Sequence, residues 1–180
     1  MTRKTFIKLF AGLLGGLWIF SAAQATMIIP MNLKEISQGA ELVFRGRCEE
    51  KKKTTLHHPE TAKEIPANTY IFKTEEVLKG DVGSQIEFSF LGFKTRQEAI
   101  QAGFFGPLQT ESFEVGKEYL LFLGKVSSWG VRPLMGGNSG QYPIQKDAQG
   151  KQTVTKSLSG PPQQINYEEF KKTIQKLLQE

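Results

Sequence analysis

Cysteine, histidine and tryptophan are scarce here, with one, two and two copies among 180 residues. The lone Cys48 excludes an intramolecular disulfide in any compartment, so packing alone must hold the fold. It sits in an apolar, strand-like segment, where a buried thiol behaves as a small hydrophobe; a bridge between two chains and a reactive thiol are the other readings. Both histidines lie in one polar stretch, His57-His58-Pro59-Glu60. Adjacent side chains on an extended backbone point apart, and a zinc site needs three or four converging ligands. No metal and no cofactor are expected.

Charge of one sign is also lacking once the start of the chain is set aside. Arg3, Lys4 and Lys8 precede an apolar run from Leu9 to Ala22, with Ser21 near its end, and the small-x-small triplet Ala23-Gln24-Ala25 follows. That pattern predicts a cleavable signal peptide over residues 1–25, cut after Ala25, and a protein working in the periplasm or outside the cell. No cysteine follows the site, so lipid attachment there is not available. An uncleaved anchor over Phe6 to Ala23 is the competing reading; Gly12, Gly15 and Gly16 weaken such a helix. Of 23 basic residues three lie in the leader, leaving 20 against 18 acidic ones, and the formal charge of +5 falls accordingly to +2. Nothing in that balance calls for nucleic acid or for an anionic surface.

The remaining 155 residues suffice for one domain with a sizeable core. Asn32 and Glu35 form a capping box for a short helix in which Leu33, Ile36 and Ala40 share a face. Leu42, Phe44, Gly46 and Cys48 then alternate with Val43, Arg45 and Arg47, the period of a strand. Residues 49–67 read as a long exposed loop or hairpin tip, with Lys51, Lys52 and Lys53 as a solvated run. Residues 69–78 and 85–91 read as a pair of antiparallel strands joined by a glycine turn, with Tyr70, Phe72, Ile86, Phe88 and Phe90 inward and Glu87 and Ser89 outward. Periodicity is lost over 92–112, apart from one or two helical turns at Arg96 to Ala102. Glu118 to Leu123 is a nearly continuous apolar run of strand length, hence a central strand covered on both faces. Weaker strands are expected near 131–135, 141–145 and 152–155.

Gly160-Pro161-Pro162 breaks the chain, and Asn166 then caps, with Glu169 expected to complete a second capping box, an amphipathic helix with Tyr167, Phe170, Ile174, Leu177 and Leu178 on one stripe. So short a helix is marginal alone in water and is expected to pack on the body of the domain. The fold class expected is mainly β: a small OB-like antiparallel β-barrel over 26–160, with a short N-terminal helix and a C-terminal helix over 161–180 packed on it.

Three segments together, Glu41-Leu42-Val43-Phe44-Arg45-Gly46, then Phe72 with Val77-Leu78-Lys79-Gly80, then Phe113 with Gly116-Lys117-Glu118-Tyr119-Leu120-Leu121-Phe122, resemble strand signatures of netrin-like domains. That OB-type barrel also occurs in tissue inhibitors of metalloproteinases, and a family of exported bacterial proteins has a similar layout. The resemblance covers about half the chain, Leu33 to Leu123, and implies a fold. Inhibitors of that family insert a disulfide-bonded N-terminal cysteine into a protease; here the expected mature start is Thr26-Met27-Ile28, and no site residue carries over.

Chemistry is thin. Gly136-Gly137-Asn138-Ser139-Gly140 looks like a serine-nucleophile loop, but such a serine needs a histidine base, and a glycine turn between strands is the simpler reading. No complete catalytic set is present, so no catalytic residue is assigned. Most of the 13 Phe fall at inward strand positions. Phe104, Phe105 and Trp129 do not; they flank glycines and are the candidate anchors for a partner. The chain therefore reads as an exported, non-catalytic module that binds or inhibits an envelope or secreted protein such as a protease. The alternatives are a small hydrolase using Ser139 or Cys48, and a structural envelope protein self-associating through its terminal helix.

Overall fold

A computed structural model describes residues 31–106, 108, 113–156 and 163–180. The expected leader and the Gly160-Pro161-Pro162 break lie outside the described residues. The chain runs α1 (Leu33–Gly39), β1 (Leu42–His57), β2 (Glu64–Lys79), β3 (Gln85–Leu91), α2 (Arg96–Gln101), β4 (Glu118–Leu123), a 3₁₀ turn (Gly137–Gly140), β5 (Gln141–Lys146), β6 (Gln152–Lys156), β7 (Gln163–Asn166) and α3 (Tyr167–Gln179). All seven strands form one antiparallel sheet in the order β3-β2-β1-β4-β5-β6-β7. The protein is mainly β. Where a closed barrel was expected, the ladder stays open: β3 and β7 end the sheet, and among the described residues no pairing joins them.

The ladder is irregular along β1. Its pairing with β2 shifts register between Val43 and Phe44, between Arg45 and Gly46, and between Cys48 and Glu50, and such irregularities increase local twist. Gly46 is required there, since a Cβ would sit 2.8 Å from the Lys73 carbonyl oxygen and 3.0 Å from the Phe44 ring. The inner half of β1, Leu42 to Arg47, pairs with β4 as well as β2.

β4 is buried at every position, as an apolar run of that length requires. Tyr119, Leu121 and Leu123 face one core, with Leu42, Phe44, Cys48, Tyr70, Phe72, Phe88, Phe90, Phe113 and Leu134. Leu120 and Phe122 face the other, with Ile36, Ala40, Val43, Tyr142, Ile144, Val154, Tyr167, Phe170 and Ile174. The period-two reading of β1 separates the same way: Leu42, Phe44 and Cys48 lie in the first core and Val43 in the second.

Both flanking helices start where the sequence signals them. The Asn32 side chain accepts from the Glu35 amide at 3.0 Å while the Glu35 carboxylate accepts from the Asn32 amide at 2.8 Å. Asn166 Oδ1 accepts from the amides of Glu168 and Glu169 at 3.0 and 3.2 Å, but the expected second box is not closed, since the Glu169 carboxylate does not accept from the Asn166 amide. Tyr167, Phe170 and Ile174 are buried in the second core, so α3 rests on its own sheet.

Several expectations need correction. The segment 49–67 is mostly ladder: β1 continues to His57 and β2 starts at Glu64, so the tip is only residues 58–63. Polar composition misled here because the far half of the hairpin leaves most of its side chains in water. Residues 131–135 form no strand, only a bridge between Leu123 and Leu134. Gln163–Asn166 was not foreseen as a strand, being too short and polar to show alternation, yet it pairs with β6. Ser89 was expected to face outward; it is buried, its hydroxyl bonded to Thr69 at 2.7 Å and its carbonyl accepting from the Arg132 amide at 3.3 Å.

Candidate functional site

The segment after β4 folds back as a narrow loop. Gly124 donates to the Pro133 carbonyl at 2.8 Å, Ser127 to Val131 at 2.8 Å, and Met135 to Phe122 at 2.9 Å. Gly130, with φ of 71°, closes the tip by donating to the Ser127 carbonyl at 2.9 Å. That left-handed backbone costs a residue with a Cβ and costs glycine nothing. The turn displays Trp129. Arg132 anchors the loop from behind, bonding Glu41 at 2.7 Å and the Gly124 carbonyl at 3.0 Å.

A second loop approaches from the other side. Thr95 caps α2 by accepting from the Glu98 amide at 3.1 Å. The Arg96 guanidinium reaches past the helix to the carbonyls of Phe105, at 2.7 Å, and Gly106. Its fork geometry fixes the backbone that carries Phe104 and Phe105.

Between the two loops lies a cleft of about 600 Å³. Its walls are the end of β3 (Phe90 and Leu91), Phe104, Gly106 and Leu108 beyond α2, the loop residues Ser127, Trp129, Val131, Pro133 and Leu134, and the turn from Gly136 to Ser139. Clefts of this size and apolar lining are typical of ligand sites. An aromatic row stiffens one wall: Phe93 stacks on Phe104 at 6.5 Å, Phe104 meets Trp129 edge-on at 5.4 Å, and His58 packs on Trp129 at 4.7 Å. His58 Nδ1 accepts from the Glu60 and Thr61 amides at 3.0 and 3.2 Å, so the neutral ring carries its proton on Nε2. The ring thus ties the β1–β2 tip to the cleft wall.

Two of the three aromatics singled out by sequence, Phe104 and Trp129, line this cleft. Phe105 does not; it projects beside it, 68% exposed. Missed by sequence reasoning were His58 as a packing partner and the glycine turn as a wall. The only available signal was the proximity of Leu134 to Gly136 in the chain, which says nothing about what the turn faces.

The candidate nucleophiles are placed differently. Ser139 lines the cleft, its amide donating to the Gly136 carbonyl at 3.3 Å. Cys48 is fully buried in the aromatic core, and burial pushes its thiol pKa up, opposed by a hydrogen bond to the Glu50 carbonyl and by the nearby charge of Lys51. A low-pKa reactive thiol needs the opposite surroundings. Among the described residues no hydrogen bond joins Ser139 or Cys48 to His57 or His58. Nor do three His, Cys, Asp or Glu side chains among them converge to hold a metal ion.

A second polar cluster lies where α3 meets the sheet. Arg45 reaches Gln152 at 2.8 Å and Glu75 at 3.4 Å, and Arg47 bonds Glu118. Lys146 shares that same Glu118 oxygen at 3.1 Å, leaving the other carboxylate oxygen without a partner. Glu76 accepts from the Tyr167 hydroxyl at 2.8 Å and from Lys171 at 3.0 Å. Burial alone would raise the Glu76 pKa; those two hydrogen bonds and the charges of Lys171 and Arg45 outweigh it and hold it below the ordinary carboxylate value. Burial, together with the Glu76 carboxylate, pushes the Tyr167 pKa far up. Its cations and acids are matched against one another, the pattern of a fastening rather than an open site. No helix among the described residues is long and apolar enough to cross a membrane. Compared with known proteins, the chain matches no family model and no curated sequence.

Proposed function

We propose that this protein is a non-catalytic binding module, exported from the cytoplasm and released from its leader, that holds part of another exported protein in the cleft between the 92–108 and 124–139 segments. The observation that carries this reading is the aromatic-walled cleft with Phe105 exposed beside it. Apolar surface kept in water beside a concave site is the usual mark of an interaction surface. Export rests on the leader pattern at the start of the chain. We read the open sheet as a relative of the OB-type barrel, in keeping with the netrin-like resemblance, since such folds bind through loops around one end of the strands. Inhibition of an envelope protease is one form this binding would take.

The test is capture from an envelope extract by the purified protein, compared with the double variant Trp129→Ala/Phe105→Ala. A partner retained by the natural chain and lost from the variant, with unfolding temperature little changed, supports the reading. Equal retention by both removes the cleft as the interface.

The hydrolase reading keeps one point in its favour, because Ser139 lines the same cleft. A Ser139→Ala variant that leaves any esterase activity of the purified protein unchanged disposes of it.

A further inference from the structure

The chemistry of the occupant can be narrowed, granted that the cleft is the binding site just proposed. We infer that it accepts an uncharged apolar residue, aromatic or large aliphatic, carried on a polypeptide.

Among the described residues no lining side chain is ionisable. A carboxylate, phosphate or ammonium group entering the cleft would surrender its hydration with no opposite charge to meet it, which strongly disfavours charged guests. The aromatic wall of Trp129, Phe104 and Phe90 favours flat or bulky apolar groups. Among the described lining residues the polar side-chain groups are those of Ser127, Asn138 and Ser139 and the indole N–H of Trp129, all neutral. Hydroxyls and a carboxamide both donate and accept, which suits the N–H and C=O groups of a peptide backbone.

The rim argues for a polypeptide over a free small molecule. Among the described residues five large hydrophobics are exposed, and two of them adjoin residues that line the cleft: Phe105 at 68% and Val126 at 54%. Phe105 precedes the lining residue Gly106, and Val126 precedes Ser127. A molecule small enough to be enclosed would leave these side chains in water, whereas residues flanking an inserted side chain would cover them. An interface with an apolar anchor at its centre and contacts around it has this form.

The probes are capped peptides titrated into the purified protein and followed by NMR chemical shifts: Ac-Phe-NH₂, Ac-Ala-Phe-Ala-NH₂, Ac-Ala-Glu-Ala-NH₂ and Ac-Ala-Lys-Ala-NH₂. The phenylalanine tripeptide is expected to shift Trp129 and the Gly136–Ser139 amides and to bind at least about tenfold more tightly than either charged tripeptide. It should also bind several-fold more tightly than Ac-Phe-NH₂. Phe105→Ala, a change at an exposed side chain, should erase that second advantage.

Charged tripeptides binding as well as the phenylalanine one would overturn the inference. So would a tripeptide no tighter than the single capped residue, which would assign the cleft to a free small molecule, or no shift with any probe. Capture of a partner by the natural chain but not by the Trp129/Phe105 variant would survive each of those failures, so the two readings fall separately.

Discussion

The two cores on either side of β4 are closed in different ways. The one holding Leu120 and Phe122 is covered by α1 and α3, regular elements whose apolar stripes fit it and whose border is fastened by ion pairs from Glu76 to Lys171 and from Arg45 to Glu75. The one holding Tyr119 and Leu121 is filled by aromatic rings packed mostly edge-on or tilted, and its end is covered by loops that leave a cleft and exposed hydrophobics. Helix cover consumes its apolar surface internally; loop cover leaves some of it exposed. Function is therefore to be sought on the loop side, and stability on both.

The sharpest way to break this contrast is at the aromatic core. Phe72 is fully buried and in ring contact with Phe44, Phe88, Phe113 and Tyr119. Phe72→Ala should cost about 3–5 kcal/mol in denaturant unfolding, since the facing rings cannot all close over the gap. On the helix side, Ile174→Ala should cost about 2–5 kcal/mol and loosen α3 first, seen as faster amide exchange in that helix than in β4. Equal loosening of both would mean that the helix is an integral part of the sheet's cooperative unit.

The fastening should respond to acid. The folded Glu76 carboxyl has a lowered pKa, so its contribution is fully present above the unfolded carboxylate value, about 4.3, and is lost as pH falls through the folded value. Glu76→Gln should cost about 1–2 kcal/mol at neutral pH and flatten the acid limb of the stability curve. An unchanged acid limb would show that other carboxylates set it.

The smallest stability effect is expected on the loop side. Phe105→Ala should change stability by less than about 0.5 kcal/mol while weakening capture of the partner, so binding and folding separate at one residue. A large loss of stability would mean that Phe105 packs somewhere in the folded protein and is not a free anchor.

Local signals were legible wherever a residue's own chemistry settles its conformation. Asn32 with Glu35, and Asn166, announce helix starts because their side chains satisfy amides only a few residues away. Alternation in β1 and β3 and the unbroken run in β4 gave the cores, since period two sends neighbours to opposite faces. The β1–β2 hairpin was harder to see, because ladder bonds need no apolar side chain and its lysines look like loop. β7 escaped for the same reason.

The sequence alone fixed the strand character of the middle of the chain, both helix caps, the phenylalanine core and three aromatics without a place in that core. Tertiary structure alone decided that Phe104 and Trp129 share one cleft while Phe105 stands outside it, that His58 braces Trp129, and that the sheet stays open. The physical reason is distance along the chain: these partners come from segments tens of residues apart, and no local periodicity encodes which distant loops will meet.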